Sequence, residues 1–417
     1  MDFDSTYRLV TPTEDRKREV NDLLGFAFAE GVAAGDEAAS DSWLPWRRTR
    51  VVEEIATGRY RGTYSAFDNP TVVPGGARIP NLGLTIVGVH AAHRRRGLLT
   101  RMIADHFAVA KEQGAIMSTL WAAEQGIYGR FGYGMVSEVA ELSVGRGVEL
   151  AEVEGSEELS VEIETLIPGE HGPLMAAVVA GMTRPGSALM DEEVLRWHTS
   201  DAVHGRGEKE PRRVVIVRDG DTPVAAAAFR RQSKWEGGVP GDVVHVGFHG
   251  ALSPAAERRL WSVLTSIDLS AKVEAENFTL DHPLLRLIGP HRGVVKHVYD
   301  GIWARLLDVK ACLEARSYGA DASVTFALTD TVLPENAGVW RLTTAADGDG
   351  ALERSDVAPD EADLDLTIQQ LSSLYLGGVT LASLYDAGQV RERRPGAVTE
   401  LSRALQGDVL PAGNFHF

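Results

Sequence analysis

Apolar positions along this chain alternate between short runs and stripes at helical spacing. "NLGLTIVGV" (Asn81 to Val89) is an apolar run of strand length. Leu98, Leu99, Met102, Ile103, Phe107 and Ala110 then recur near the 3.6-residue period, and Gly114 stands where a helix C-cap is expected. "AIMSTLWAA" reads as the following strand, and Leu23, Phe26, Phe28 and Ala29 as the stripe of an early helix. Residues 1–145 therefore predict one mixed α/β domain. The acidic, weakly patterned stretch from Glu149 to Glu164 predicts a boundary, after which "RRVVIVRDGDTPVAAAAFRRQ" reads as a hairpin turning at Asp219-Gly220-Asp221. "SPAAERRLWSVLTSID" predicts a helix with Ser253 as N-cap and Pro254 at its first position. Residues 146–300 thus repeat the strand-and-helix plan. The remainder, 301–417, holds the alternating runs "DASVTFALTD", "GVWRLTTAADGDGALERSD" and "ADLDLTIQ" and the helical "LSSLYLGGVTLASLYDAGQV", which predicts a small α+β domain.

Bulk properties narrow the function. A chain of 417 residues fits two or three domains. Its net charge of -17 repels polyanions and attracts cations, so amines are expected partners and nucleic acid is not. Cys312 is the only cysteine, which fits a reducing cytosol and precludes a disulfide framework or a cysteine-based zinc site. The N-terminal "MDFDSTYRLV" has no apolar signal core, and no run of about 18 apolar residues is present, so neither a leader nor a membrane span is expected. His90 and His93 lack the spacing of a helical zinc motif. His245 and His249 are two strand steps apart, hence expected on one face, but have no cysteine or carboxylate partner nearby in sequence; no metal is expected.

Against that acidic background, "HRRRGLLT" between the strand and the helix is conspicuous. The first four N–H groups of a helix lack internal partners, and the helix dipole puts partial positive charge there. A strand, a basic turn with Gly97 at its end and a helix N-terminus form an anion cradle suited to a pyrophosphate, with Arg95 and Arg96 adding charge. A second stretch, "GIYGRFGYG", places four glycines around Tyr128 and Tyr133 but lacks the order of a dinucleotide fingerprint. Its residues alone leave two readings open: a flexible turn with buried aromatics, or a turn presenting a tyrosine for proton transfer.

"VGVHAAHRRRGLLTRMI" resembles the acetyl-coenzyme A signature of the GNAT N-acetyltransferases, with Leu99 where that pattern has a small residue. The pair "HRRRGLL" and "GIYGRFGYG" is more specifically similar to the enhanced intracellular survival (Eis) family, as are "VYDGIWARLLDVKACLEARSYG" and "LSSLYLGGVTLASL" further on. The resemblance covers the whole chain and implies two GNAT-type mixed-sheet domains, the second degenerate, followed by a sterol-carrier-protein-like domain. It implies acetyl transfer from acetyl-CoA, without metal, to primary amines of aminoglycosides, polyamines or lysine side chains, by a cytoplasmic homohexamer. Carried onto this chain, backbone groups of Val87, Gly88 and Val89 would line the pantetheine arm. The turn and helix start Arg95, Arg96, Gly97, Leu98, Leu99 and Thr100 would hold the pyrophosphate, and Ala123 and Glu124 would touch the co-substrate. Tyr128 would be the general acid, with Tyr133 as packing. The α-carboxylate of Phe417 would be the general base, with His416 as its rival. Glu30, Trp43 and Trp46 fall where the family builds its acceptor pocket. Two alternatives remain: a different acyl-CoA-dependent N-acyltransferase, because N-myristoyltransferases also pair two such units and use a C-terminal carboxylate, and a non-enzymatic lipid-binding protein built on the last domain.

Overall fold

The computed structural model describes residues 3–28, 45–201, 206–290, 292–346 and 348–417. Strands β1 (Tyr7–Val10), β2 (Arg50–Glu54), β3 (Tyr60–Asp68), β4 (Asn81–Val89) and β5 (Met117–Trp121) begin the first sheet, with helices α1 (Lys17–Phe28) and α2 (Leu98–Glu112) packed on it. Leu98, Met102, Ile103, Phe107 and Ala110 of α2 are buried against Leu82, Leu84 and Leu120, which is the face the helical spacing required. After β6 (Gly134–Met135) the chain leaves this sheet and builds a second one. Its elements are β7 (Glu138–Gly145), β8 (Ser160–Thr165), helices α3 (Pro168–Gly181) and α4 (Glu192–Thr199), β9 (Arg213–Asp219), β10 (Thr222–Gln232), β11 (Asp242–Ala251), α5 (Pro254–Leu264), β12 (Ser270–Phe278) and β13 (Val295–Asp300). Then β14 (Ile302–Leu306) returns to the first sheet. The strand orders are β1-β2-β3-β4-β5-β14-β6 and β8-β9-β10-β11-β12-β7-β13.

Sheet membership therefore crosses the boundaries expected at 145 and 300. β7, before the first, pairs with β12 and β13, while β14, after the second, pairs with β5 from Ile302–Trp121 to Leu306–Met117. Alternation along a strand says which face a residue takes, not which sheet will accept it. The final unit holds β15 (Ala322–Thr329), β16 (Gly338–Thr344), β17 (Gly350–Arg354), β18 (Leu364–Thr367) and β19 (Arg391–Glu392) in the order β17-β16-β15-β18-β19, with helices α6 (Ile368–Leu374), α7 (Leu381–Asp386) and α8 (Ala397–Leu405). The expected α+β unit is present, and the single helical run anticipated after β18 is two helices parted at Gly377, whose φ of +82° ends the first.

The expected face of one histidine pair is corrected. A bulge in β11 pairs Val246 with Phe229 but Phe248 with Ala228, leaving Gly247 extra. One extra residue inverts the alternation beyond it. His245 consequently lies on the opposite face from His249, whose ring stacks 4.5 Å from Phe278 and sits 5.5 Å from Trp261.

The third unit braces the first. Arg305 on β14 and Asp330 just after β15 form a fully buried ion pair at 2.6 Å, and Arg305 Nε also donates to the Phe131 carbonyl at 2.8 Å. Asp330 is in turn held by the backbone N–H groups of Val332 and Leu333. Burial of such a pair is tolerated only when its remaining hydrogen-bonding capacity is met, as it is here.

Candidate active site

β4 and β5 run parallel, but their pairing extends only from Asn81–Met117 to Gly83–Thr119. Beyond Gly83 the strands diverge, because β4 is bent by a bulge opposite Tyr64 in which Ile86 takes a left-handed φ of +46°. The gap is a cavity of about 820 Å³, ample for a cofactor-sized molecule. Val87, Gly88 and Val89 form one wall, and Ala123 and Glu124 lie across it.

At the end of β4 the chain turns into α2. Arg95 (φ +60°) and Gly97 (φ +84°) are both left-handed, and turns with left-handed residues are a backbone geometry that can direct successive N–H groups at an anion. Arg95, Gly97, Leu98, Leu99 and Thr100 line the cavity. Arg96 is directed elsewhere: its Nη1 donates to Tyr7 Oη at 3.2 Å, and that hydroxyl also meets His93 Nδ1 at 2.8 Å. The Tyr7–His93–Arg96 cluster pins the turn from behind.

Tyr128 lines the same cavity, whereas Tyr133 is fully buried, its hydroxyl 2.8 Å from Ser118 Oγ. Burial, with the Glu124 carboxylate adding to it, pushes the Tyr128 phenol up to about 12, so the hydroxyl stays protonated at neutral pH. Three of the glycines around it, Gly129, Gly132 and Gly134, serve close packing, whereas a Cβ at Gly126 would meet nothing within 4 Å. A Cβ at Gly129 would lie 2.7 Å from Gln369 Nε2, and one at Gly134 would collide with the backbone of Gln369 and Ser373. The loop that carries Tyr128 thus rests directly on α6 of the third unit.

Phe417 also lines the cavity, at the point where β4 and β5 part. A Cβ at Gly83 would lie 2.5 Å from its ring, so the absent side chain makes room for it. Phe67 and Phe415 flank the ring, with centroids 6.3 Å and 6.0 Å away. The tail arrives along the second unit. The Leu410 carbonyl accepts from Arg184 at 2.6 Å, Ala412 N donates to the Pro185 carbonyl at 2.9 Å, and Asn414 exchanges hydrogen bonds with Ala188 at 2.8 and 3.0 Å. His416 packs against Trp121, with ring centroids 3.9 Å apart and planes tilted by 39°. Burial pulls its imidazole down to about 4, and its Nε2 is occluded, 3.8 Å from Glu276 Oε2.

Of the acceptor-side residues anticipated from sequence, Glu30 and Trp43 lie outside the described residues. Trp46 packs on the cluster of Val20, Leu24 and Val51 under the Lys17 ammonium, behind the cavity-lining Leu24, and does not itself line the described cavity. The wall also includes Ile86, Trp121 and Trp197, which sequence reasoning did not single out, and His93, which it considered only as a metal ligand. Trp197 comes from the second unit and has no sequence signal near the first. Among the described residues no cluster suited to a metal ion is found, and no helix is long and apolar enough to cross a membrane.

A splayed parallel strand pair with a bulge on one side and a basic left-handed turn at the next helix defines an acyl-coenzyme A-dependent transferase of the GNAT class. Residues 6–136 and 189–329 each match an acetyltransferase (GNAT) domain model, and residues 309–411 match a sterol carrier protein domain model. An uncharacterized N-acetyltransferase of Streptomyces avermitilis is 38% identical over 84% of this chain and 85% of its own. The N-acetyltransferase Eis of Mycobacterium tuberculosis is 26% identical over 99% of this chain and its full length. The crystal structure of Eis1 from Mycobacterium abscessus superposes with a TM-score of 0.80 at 24% identity, over 99% of this chain and all of that one. The chain belongs to the Eis family of GNAT N-acetyltransferases.

Proposed function

We propose that this enzyme moves an acetyl group from acetyl-CoA to primary amines of polycationic small molecules or of lysine side chains, with Tyr128 as general acid and the Phe417 α-carboxylate as general base. The reading rests on one arrangement. A single cavity is bordered by the basic turn, by the exposed backbone of Val87 to Val89, by Tyr128 and by Phe417. From Gly83, against the Phe417 ring, to Val89 at the turn is six residues of strand, or about 20 Å. That length suits an extended pantetheine arm, with its phosphates at the turn and its thioester beside Phe417.

In this scheme the Phe417 carboxylate takes a proton from the acceptor ammonium, directly or through a water. The freed amine attacks the thioester carbonyl, and a backbone N–H of the bulged strand faces the oxygen that becomes negative. Tyr128 then gives its phenolic proton to the departing sulfur, and the second proton shed by the attacking nitrogen restores the phenol. His416 is a poor alternative base, since it is not part of the cavity wall and its Nε2 is occluded. Net charge of -17 draws polycationic acceptors such as aminoglycosides and polyamines towards the protein.

Thiol release measured with acetyl-, propionyl- and myristoyl-CoA against aminoglycosides, polyamines and lysine peptides tests the reading. The expected result is fastest release with acetyl-CoA and a polycationic amine. Preference for the long chain would favour a different acyltransferase, and no release with any pair would favour a lipid-binding role. The cradle has its own test. Arg95→Ala and Gly97→Asp should each weaken acetyl-CoA binding by roughly tenfold or more, because a charge-assisted phosphate contact contributes ~1.5–3 kcal/mol. Calorimetry with acetyl-CoA reads this directly, and unchanged affinity in both variants would remove the turn from the binding site.

A further inference from the structure

Helix α4 presents two consecutive aromatic rings to the end of the chain. Asp191 caps it, accepting from Val194 N at 2.8 Å. Trp197 contributes to the cavity wall and lies 5.9 Å from Phe67. His198 meets the tail: its Nε2 is 2.9 Å from the His416 carbonyl oxygen, and its ring stands edge-on to Phe415 at 5.3 Å. A carbonyl oxygen can only accept, so Nε2 carries the proton and Nδ1 is the bare nitrogen. Burial pulls this imidazole down to about 4, against the smaller upward pull of the bond to His416, so the ring is neutral at working pH. Arg212 donates to the His198 backbone carbonyl and fixes the end of the helix.

The His416 carbonyl belongs to the same peptide unit as the Phe417 nitrogen. Holding that oxygen fixes the plane from which the terminal Cα and its carboxylate project. The Phe417 ring is fixed separately, by Gly83, Phe67 and Phe415. Two anchors on one residue leave its carboxylate little freedom. The donor's neutrality also matters, because an imidazolium beside the carboxylate would reduce its basicity.

We infer that His198 is a positioning residue for the reaction, its Nε2–H orienting the last peptide plane so that the Phe417 carboxylate faces the acceptor amine. The inference rests on the assignment of the base to Phe417. It gives the second acetyltransferase unit, which has no basic turn of its own, a part in the chemistry of the first.

The test compares His198→Gln, whose side-chain amide can still donate, with His198→Leu, which cannot, in the full chain. Each is measured with and without one residue appended after Phe417. His198→Leu should lower kcat by about tenfold or more, since a misplacement near 1 Å costs up to about a hundredfold. His198→Gln should recover most of the rate, and KM for acetyl-CoA should be unchanged in both, because its turn lies in the first unit. Full kcat in His198→Leu overturns the inference. So does an equal loss in both variants at unchanged melting temperature, because a donor would then not suffice. The appended residue separates the two claims. A fully active extended wild type removes Phe417 as base and the inference with it. An inactive extended wild type beside a fully active, unextended His198→Leu removes His198 alone.

Discussion

A few residues appended after Phe417 should abolish acetyl transfer while leaving acetyl-CoA bound. The extension replaces a carboxylate by a neutral amide at the point where β4 and β5 part, with no change to the basic turn. Deleting Phe417 should be as damaging. The new terminal carboxylate would sit on His416, displaced by ~3.3–3.6 Å along the chain, and the ring that fits against Gly83 would be gone. A loss of at least about a hundredfold in kcat is expected for either change, given what a misplacement of 1 Å costs. His416→Ala should keep most of the rate, since that residue is not part of the cavity wall and its Nε2 is occluded. Thiol release at saturating amine, with calorimetry of acetyl-CoA binding in parallel, checks all three. Full activity in the extended enzyme would exclude the terminal carboxylate, and loss in His416→Ala alone would transfer the role to the imidazole.

Tyr128→Phe should lower kcat by about a hundredfold or more with acetyl-CoA affinity intact, the usual contribution of a positioned acid. The phenol is buried and pushed up to about 12. A raised pKa favours the protonated form, so the donor is essentially fully present up to about pH 10, where a free phenol would already be half ionised. No fall in rate from loss of this proton is therefore expected between pH 6 and 9. Tyr133→Phe should act differently. Its hydroxyl meets Ser118 Oγ, which itself donates to the Leu82 carbonyl at 3.0 Å and meets His106 Nε2 at 2.8 Å. Removing the hydroxyl leaves part of a buried network unsatisfied, at about 1–3 kcal/mol of stability, with little direct effect on the chemical step. Melting temperatures and kcat for the pair decide the matter; a Tyr133→Phe enzyme that is stable but slow would show that the wrong tyrosine was chosen.

Local patterns carried much of this architecture. The strand Asn81–Val89 and the helix stripe from Leu98 to Ala110 were legible because burial imposes a period on the residues themselves. The basic turn from Arg95 to Gly97 was legible because a run of arginines ending in glycine stands between two such elements in an acidic chain. Family resemblance placed Tyr128 and Phe417 together, a juxtaposition that no spacing 289 residues apart could suggest. What stayed hidden depends on pairing between distant segments. The return of β14 to the first sheet is invisible in its own residues, since an apolar strand fits either sheet equally well. The bulges at Ile86 and Gly247 each hinge on one residue whose conformation is set by its partner strand, and the second of them moved His249 to the other face. Trp197 and His198 reach the cavity and the tail through a helix of the second unit, and only the assembled chain brings them there.

The route of residues 410–417 has a consequence for when the enzyme comes into being. The tail is gripped by Arg184, Pro185, Ala188 and His198 and ends against Gly83, so its seat must be folded before it can dock. During synthesis the first sheet is completed only when β14 has been made, and the tail can dock only after that. If the base is at Phe417, acetylation begins only once the tail has docked on the second unit and against Gly83.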